Sequence, residues 1–74
     1  MYLLKEMKKI NSKYKLNSGL KLKIICIDGQ IVEGLYGGYT QAVDNDPEIA
    51  SISIKNNNHY IEIDENEIKS IEVI

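Results

Sequence analysis

The sequence predicts a mainly β protein in which one N-terminal α-helix precedes a five-stranded, strongly bent antiparallel barrel that closes on itself. The chain of 74 residues is short enough to form one domain. From residue 19 onward, apolar residues recur with the period of two expected of strands with one buried face. Glycine occupies positions 34, 37 and 38, where it permits a sharp bend in the second strand. We therefore expect a single domain over 1–74, with the helix and its cap in 1–18 and the barrel in 19–74.

Residues 2–14 have the pattern of an amphipathic helix. Its apolar side chains recur at helical spacing, namely Leu3, Met7, Ile10 and Tyr14. Lysines fill much of the rest, so we expect a helix that packs over one end of the sheet. The segment Asn17-Ser18-Gly19 predicts its end, with the asparagine or the glycine in the left-handed cap position. A helix on a membrane surface is the alternative, but the apolar stripe is narrow and has no Trp or Phe.

Residues 19–39 predict the first β-hairpin. The first strand, 19–27, is apolar on one face throughout, and its other face becomes apolar only near the turn. The pair Asp28-Gly29 is a strong turn signal, and the second strand follows over 30–39. The additional apolar residues near the turn predict that this end is covered by a partner, such as another subunit.

Three more strands complete the predicted sheet. The predicted bounds are 49–55 for the third strand, 59–63 for the fourth, 64–67 for a link with one 3₁₀ turn, and 68–74 for the fifth. The segment Asn56-Asn57-Asn58 predicts a turn, so the third and fourth strands form a second hairpin. The side chains expected to point inward are Ala50, Ile52, Ile54, Ile61, Ile63, Ile71 and Val73.

Few residues suggest chemistry, and we predict no catalytic, cofactor-binding or metal-binding residue and no enzyme activity. Cys26 lies in an apolar run, which favours a buried structural thiol. His59 follows a turn and has no recognisable nucleophile partner in the sequence. The acidic connection 40–48 offers carboxylates for calcium but lacks the EF-hand spacing. The glycines at 34–38 lack the spacing of a phosphate loop.

The charge distribution is asymmetric, with a basic N-terminal part and an acidic remainder. The lysines before Gly29 form the candidate nucleic-acid contact, namely Lys5, Lys8, Lys9, Lys13, Lys15, Lys21 and Lys23. Such a cluster can bind an anionic partner. It can equally lie against the acidic body of its own or a neighbouring subunit. The sequence leaves both interpretations open.

No secretory leader and no membrane-spanning run is recognisable, so we expect a cytoplasmic protein without a membrane partner. A chain this short gains little from its core, and one cysteine cannot form an internal disulfide. Oligomerisation would cover apolar surface and strand edges. We therefore expect a homo-oligomer or a protein partner, and no small-molecule substrate.

The order of a helix and five strands resembles the Sm-like fold, and two sequence motifs support the resemblance. The first motif combines alternating apolar residues with Asp-Gly and spaced glycines. Its matching residues are Leu22, Ile24, Cys26, Asp28, Gly29, Val32, Gly34, Gly38 and Tyr39. The second motif is matched at Ile63, Asp64, Glu65 and Ile68. The resemblance covers most of the chain beyond the helix and implies an SH3-like/Sm-like barrel.

The resemblance also implies a uridine pocket, and this chain departs from the family there. RNA-binding Sm proteins hold a base with a stacking side chain, an Asn and an Arg. The corresponding residues are Ala42, Asp44 and Asp64, and Asn45 replaces the missing Asn only if the loop shifts by one residue. Alanine lacks a stacking surface worth about 1–3 kcal/mol per base, and aspartates add like charge beside phosphates. We therefore expect no uridine binding at this degenerate pocket.

The sequence favours a non-catalytic Sm-like module that acts through protein–protein interaction and oligomerisation. A similar strand arrangement occurs in the Rho-binding antitermination factor family, whose members bind a protein rather than RNA. Assembly of the chain into a ring would support the Sm-like interpretation. A monomer would support the similarity to the Rho-binding antitermination factor family. The alternative function is RNA binding through the basic helix and first strand.

Overall fold

The computed structural model describes residues 2–41 and 49–74, and it confirms the predicted order of one helix and five strands. Helix α1 spans Leu3–Tyr14. The strands are β1 (Lys21–Cys26), β2 (Ile31–Thr40), β3 (Ser51–Asn56), β4 (His59–Asp64) and β5 (Ile68–Val73). A 3₁₀ turn, Glu65–Glu67, joins the last two strands, as predicted.

The strands form one antiparallel sheet in the order β4-β3-β2-β1-β5. Both predicted hairpins are present: Ile24 of β1 lies opposite Val32 of β2, and Ile52 of β3 lies opposite Ile63 of β4. Strand β5 pairs with β1 on the side away from β2. The consecutive strands β4 and β5 therefore lie at opposite edges of the sheet.

The sheet is curved, and the short link between its two edges requires this curvature. In a flat five-stranded sheet, the outermost strands would be about 19 Å apart, at about 4.8 Å for each spacing. The link Glu65–Glu67 has three residues, and the chain from Asp64 to Ile68 spans at most about 14 Å. The sheet must therefore curve, so that its edges lie within about 14 Å of each other at this end.

The sheet does not close into a barrel, so the prediction of closure is wrong. Within residues 2–41 and 49–74, β4 pairs only with β3, and β5 pairs only with β1. Helix α1 covers the core instead, since Leu3, Met7 and Ile10 belong to the same buried cluster as the inward side chains of the sheet. The helix lies beside β5, where Ile10 lines a groove together with Ile71.

Glycine permits the curvature where β2 meets β3. A Cβ at Gly34 would overlap the carbonyl oxygen of Lys55 and would lie 2.7 Å from Cγ2 of Ile54. The β2–β3 register shifts between Tyr36 and Gly38, forming an irregularity at which Gly38 has a φ of 120°. The predicted bend thus depends on two separate properties of glycine, small size at Gly34 and backbone freedom at Gly38.

The core combines alternate strand residues with one stripe of the helix. Its buried apolar residues are Leu3, Met7, Ile10, Leu22, Ile24, Cys26, Ala50, Ile52, Ile54, Ile63 and Ile68. Two residues predicted to face inward are partly exposed: Tyr14 at 45% and Ile61 at 37%. Tyr14 lies at the end of the helix, and Ile61 lies on the edge strand β4, so each lacks neighbours on one side to bury it.

The helix ends differently from the sequence prediction. Lys15, and not Asn17 or Gly19, adopts a positive φ, of 62°, at the C-cap. The backbone carbonyl of Asn11 accepts a hydrogen bond from the Lys15 amide, and its side-chain oxygen accepts one from the Leu16 amide. Because Asn11 provides acceptors for both amides, the chain can leave the helix before it reaches the predicted cap.

Candidate interaction surfaces

The first candidate surface consists of the two open edges of the sheet. Successive backbone amides of a strand point in alternate directions. The Glu65 amide donates to the carbonyl of Ala50, so the amides of Asp64 and Glu62 point away from β3. The Ile74 amide donates to the carbonyl of Lys21, so the amide of Val73 points away from β1. Each edge therefore presents backbone groups in the arrangement that a further strand would need.

Apolar side chains accompany these edges. Ile61 is partly exposed on β4, and Ile71 and Val73 are half-buried on β5. Ile74, directly after β5, is 52% exposed. A strand added at either edge would thus bury apolar surface as well as pair backbone groups.

The second candidate surface is the outward face of α1, which is basic. Its exposed lysines are Lys5, Lys8, Lys9 and Lys13, and Lys15 follows at the C-cap. The Lys9 ammonium lies 3.8 Å from a carboxylate oxygen of Glu6, and the Lys13 ammonium lies 5.4 Å from the centre of the Tyr14 ring. Exposed ion pairs of this kind contribute at most about 1 kcal/mol. These lysines therefore remain accessible to an anionic partner.

The two other lysines of the predicted nucleic-acid contact lie on a different surface. Lys21 and Lys23 are on the face of β1 opposite to Leu22, which packs in the core with the helix. Lys23 also lies in register between Glu33 of β2 and Glu72 of β5. The fold thus brings the helix lysines together, but it places Lys21 and Lys23 across the sheet from them.

The structure describes one of the residues predicted to form the degenerate uridine pocket, Asp64. Ala42, Asp44 and Asn45 lie outside the described residues. Asp64 is half-buried at the end of β4, opposite Ser51 of β3. The next residue, Glu65, has a structural contact, since its carboxylate accepts a hydrogen bond of 3.0 Å from the Leu3 amide. This part of the second motif therefore holds the start of helix α1.

Among the ionisable groups in residues 2–41 and 49–74, Cys26 and Tyr36 have pKa values raised by their surroundings. Burial raises the pKa of the Cys26 thiol, and the carboxylates of Asp28 and Glu67 add to the shift. Cys26 is free and buried, in agreement with the predicted structural role. Burial, followed by the effect of Tyr39, raises the pKa of Tyr36. At neutral pH both groups are protonated, which does not favour a nucleophilic role for the thiol.

Other features bear on the class of protein. His59 is exposed and lies opposite Asn56 at the β3–β4 turn. Within residues 2–41 and 49–74, no three His, Cys, Asp or Glu side chains are grouped to hold a metal ion. The helix that the structure describes is too short and too polar to cross a membrane.

The fold thus defines a mainly β protein with one helix and an open five-stranded antiparallel sheet. Comparisons with protein-family models, with curated proteins and with solved structures found no match.

Sequence reasoning missed two arrangements that depend on contacts between distant strands. One is the bond between Glu65 and the start of α1, which are 62 residues apart. The other is a row of side chains across the outer face of the sheet, where Lys21, Leu35, Lys55 and Tyr60 are successive partners in register. The alternation of apolar residues in the sequence assigns each residue to a face of its strand. Predicting the row would also require the register of β1 with β2, of β2 with β3 and of β3 with β4.

Proposed function

We propose that this protein is a non-catalytic Sm-like module that assembles with copies of itself, or with a protein partner, by adding strands at the edges β4 and β5. The observation that carries the proposal is the open sheet, whose two edge strands have six residues each. Edge strands of this length can pair with strands of other chains. An interaction that uses both edges in every copy would produce a ring or a filament.

The two edges are chemically suited to each other. Ile61 on β4 and Ile71 and Val73 on β5 project from the face of the sheet that carries the core. Joining β4 of one copy to β5 of the next would continue this apolar face from one subunit into its neighbour. Such burial contributes about 25 cal/mol for each Å² of apolar surface removed from water.

The proposal is tested by blocking one edge without disturbing the fold. Proline removes a backbone donor and is tolerated on an edge strand when that donor points outward. We expect Glu62→Pro to reduce the molar mass measured by multi-angle light scattering, because the Glu62 amide points away from β3.

Glu62→Gln is the matched control, since it removes the same charge but keeps the amide. It should retain the mass of the unmodified chain. A monomeric unmodified chain would overturn self-assembly, and equal masses for Glu62→Pro and Glu62→Gln would overturn the role of this edge.

A second candidate function is RNA binding through the helix, which the four exposed lysines of α1 favour. Phosphate contacts lose affinity steeply as salt rises. Labelled single-stranded RNA should then bind at low salt and dissociate at high salt, and Lys8→Gln should weaken binding more than Lys69→Gln. No binding at low salt would exclude this candidate.

A further inference from the structure

The outer face of the sheet carries a row of exposed side chains that the edge proposal does not use. Lys21 lies opposite Leu35, Leu35 lies opposite Lys55, and Lys55 lies opposite Tyr60, so the row crosses β1, β2, β3 and β4. Two shallow depressions adjoin it, with volumes of about 470 and 600 Å³. Both depressions are lined by Leu35 and Lys55.

The apolar part of this row is formed by Leu35 and Tyr60. Leu35 is 38% exposed and Tyr60 is 65% exposed. The Tyr60 ring rests against Gly37, since a Cβ on that glycine would lie 2.9 Å from a ring carbon. One side of the ring therefore packs against the backbone of Gly37, which has no side chain in the way, and much of the ring remains exposed to solvent. A ring positioned in this way can pack against an apolar side chain of a partner.

The charged part consists of two lysines on either side of Leu35. Lys21 and Lys55 are on β1 and β3, and strands separated by one other strand are about 10 Å apart. In a polyproline II segment, which has three residues per turn and a rise of about 3.1 Å per residue, two carboxylates three residues apart lie on the same side and about 9 Å apart. The spacing of the cations thus matches a polyproline II segment that crosses the strands with an acidic residue at each end.

We propose that this row binds an acidic segment of a protein partner, with two carboxylates at Lys21 and Lys55 and an apolar or aromatic side chain on Leu35 and Tyr60. The proposal concerns a surface other than the edges and does not depend on self-assembly. A segment that crosses the strands cannot extend the sheet through its backbone, so side-chain charge and packing must provide the recognition.

The neighbouring charges favour a peptide over a nucleic acid. The carboxylate of Glu33 lines the same depression as Lys21. Lys23, the next lysine on this face, lies between Glu33 and Glu72. A polyphosphate chain gains affinity from a net positive surface, which this mixture does not provide. Two isolated carboxylates need only the two lysines.

The test uses the full chain and a fluorescein-labelled peptide, Gly-Asp-Tyr-Leu-Asp-Gly, measured by fluorescence anisotropy. A peptide with Asn in place of both Asp is its matched control. We expect the acidic peptide to bind at low salt and the Asn peptide to bind at least about threefold more weakly, as loss of exposed ion pairs implies.

Variants of the protein locate the site. Lys55→Gln and Tyr60→Leu should each weaken binding about threefold, whereas Lys69→Gln, which removes a lysine from β5, should not. Gly37→Ala should also weaken binding, because its methyl group displaces the Tyr60 ring. Light scattering should give each variant the mass of the unmodified chain, which separates this site from the edges.

Three results would overturn the proposal. The first is equal binding of the acidic and Asn peptides. The second is binding that neither Lys55→Gln nor Tyr60→Leu reduces, even though both variants keep the circular dichroism of the unmodified chain. The third is binding of labelled oligodeoxythymidylate, but not of the acidic peptide, in a manner that depends on Lys55.

Discussion

A polar side chain accepts a hydrogen bond from a backbone amide at each end of helix α1, and neither side chain belongs to the residue at the cap position. Tyr2 occupies the N-cap without a side-chain hydrogen bond. The Leu3 amide instead donates a hydrogen bond to the carboxylate of Glu65, which is 62 residues away in the sequence. At the other end, Asn11 accepts the amide of Leu16 from within the last helical turn. The Glu65 carboxylate also lies at the N-terminus of the helix, where the positive end of the helix dipole favours a negative charge. Glu65 therefore attaches the start of the helix to the turn between β4 and β5, whereas Asn11 satisfies a backbone amide at the end of the helix.

Replacing Glu65 should loosen this attachment. Glu65→Gln keeps an acceptor oxygen but removes the charge, and we expect it to lower the free energy of unfolding by about 0.3–1 kcal/mol. Glu65→Ala also removes the acceptor and should cost about 0.5–2 kcal/mol. Urea denaturation followed by circular dichroism measures both changes. Glu67→Gln, in the same turn, is the control, and an equal loss for Glu67→Gln would contradict the assignment.

Cys26 predicts a dependence of stability on pH in the alkaline range. Its pKa is raised above the ordinary value of 9.0 by burial, with Asp28 and Glu67 adding to the shift. The unfolded chain therefore loses this proton at lower pH than the folded chain, and stability falls as pH rises above the unfolded pKa. The contribution of Cys26 should leave the urea concentration at the unfolding midpoint unchanged near neutral pH. Above about pH 9 this midpoint should decrease.

The variant Cys26→Ala removes this thiol and should show a smaller alkaline decrease, although the raised pKa of Tyr36 adds its own loss at higher pH. The same alkaline slope in Cys26→Ala and in the unmodified chain would show that the thiol does not contribute.

Among the elements, strand β2 has the strictest requirements. It pairs with β1 on one side and with β3 on the other, and it changes register near Tyr36. Gly34 brings the backbone of β2 against β3, while the irregularity at Gly38 adjusts the pairing beyond it. The helix contributes to the core through one stripe of side chains, Leu3, Met7 and Ile10.

Gly34→Ala tests the close approach of β2 and β3. The added methyl group would overlap the Lys55 carbonyl oxygen, which belongs to the backbone and cannot rotate away. We expect a loss of about 1–3 kcal/mol in the free energy of unfolding, as for other overpacked sites. Gly19→Ala is the control, because its nearest contact is the side chain of Asn17 at 3.2 Å. Similar losses for both variants would contradict this explanation.

At the scale of the whole molecule, the core is small and the sheet has two edge strands at which further strands could add stability. Among the residues that the structure describes, eleven apolar residues are buried, and β4 and β5 are the outer strands of the sheet. A domain this small is marginally stable unless another source of stabilisation is added. Under the proposed function, the second source is the neighbouring subunit, which pairs with the edges and buries their apolar residues.

This proposal predicts that thermal stability depends on protein concentration. Assembly stabilises the folded state by mass action, so the midpoint temperature should rise as the chain becomes more concentrated. Differential scanning calorimetry over about a hundredfold range of concentration would measure the change. Glu62→Pro should remove most of the dependence, and Glu62→Gln should preserve it. A midpoint independent of concentration in the unmodified chain would contradict stabilisation by assembly.

The sequence by itself determined the elements and the faces of most strands, because alternation and helical spacing are local properties. The Asp28-Gly29 turn was predictable for the same reason: Gly29 has a φ of 91°, which glycine adopts without steric cost. Tertiary structure alone decided that the sheet stays open, that Glu65 holds the helix, and that Lys21 and Tyr60 share one row. These features depend on which distant segments meet, and the spacing of residues along one segment carries no information about that choice.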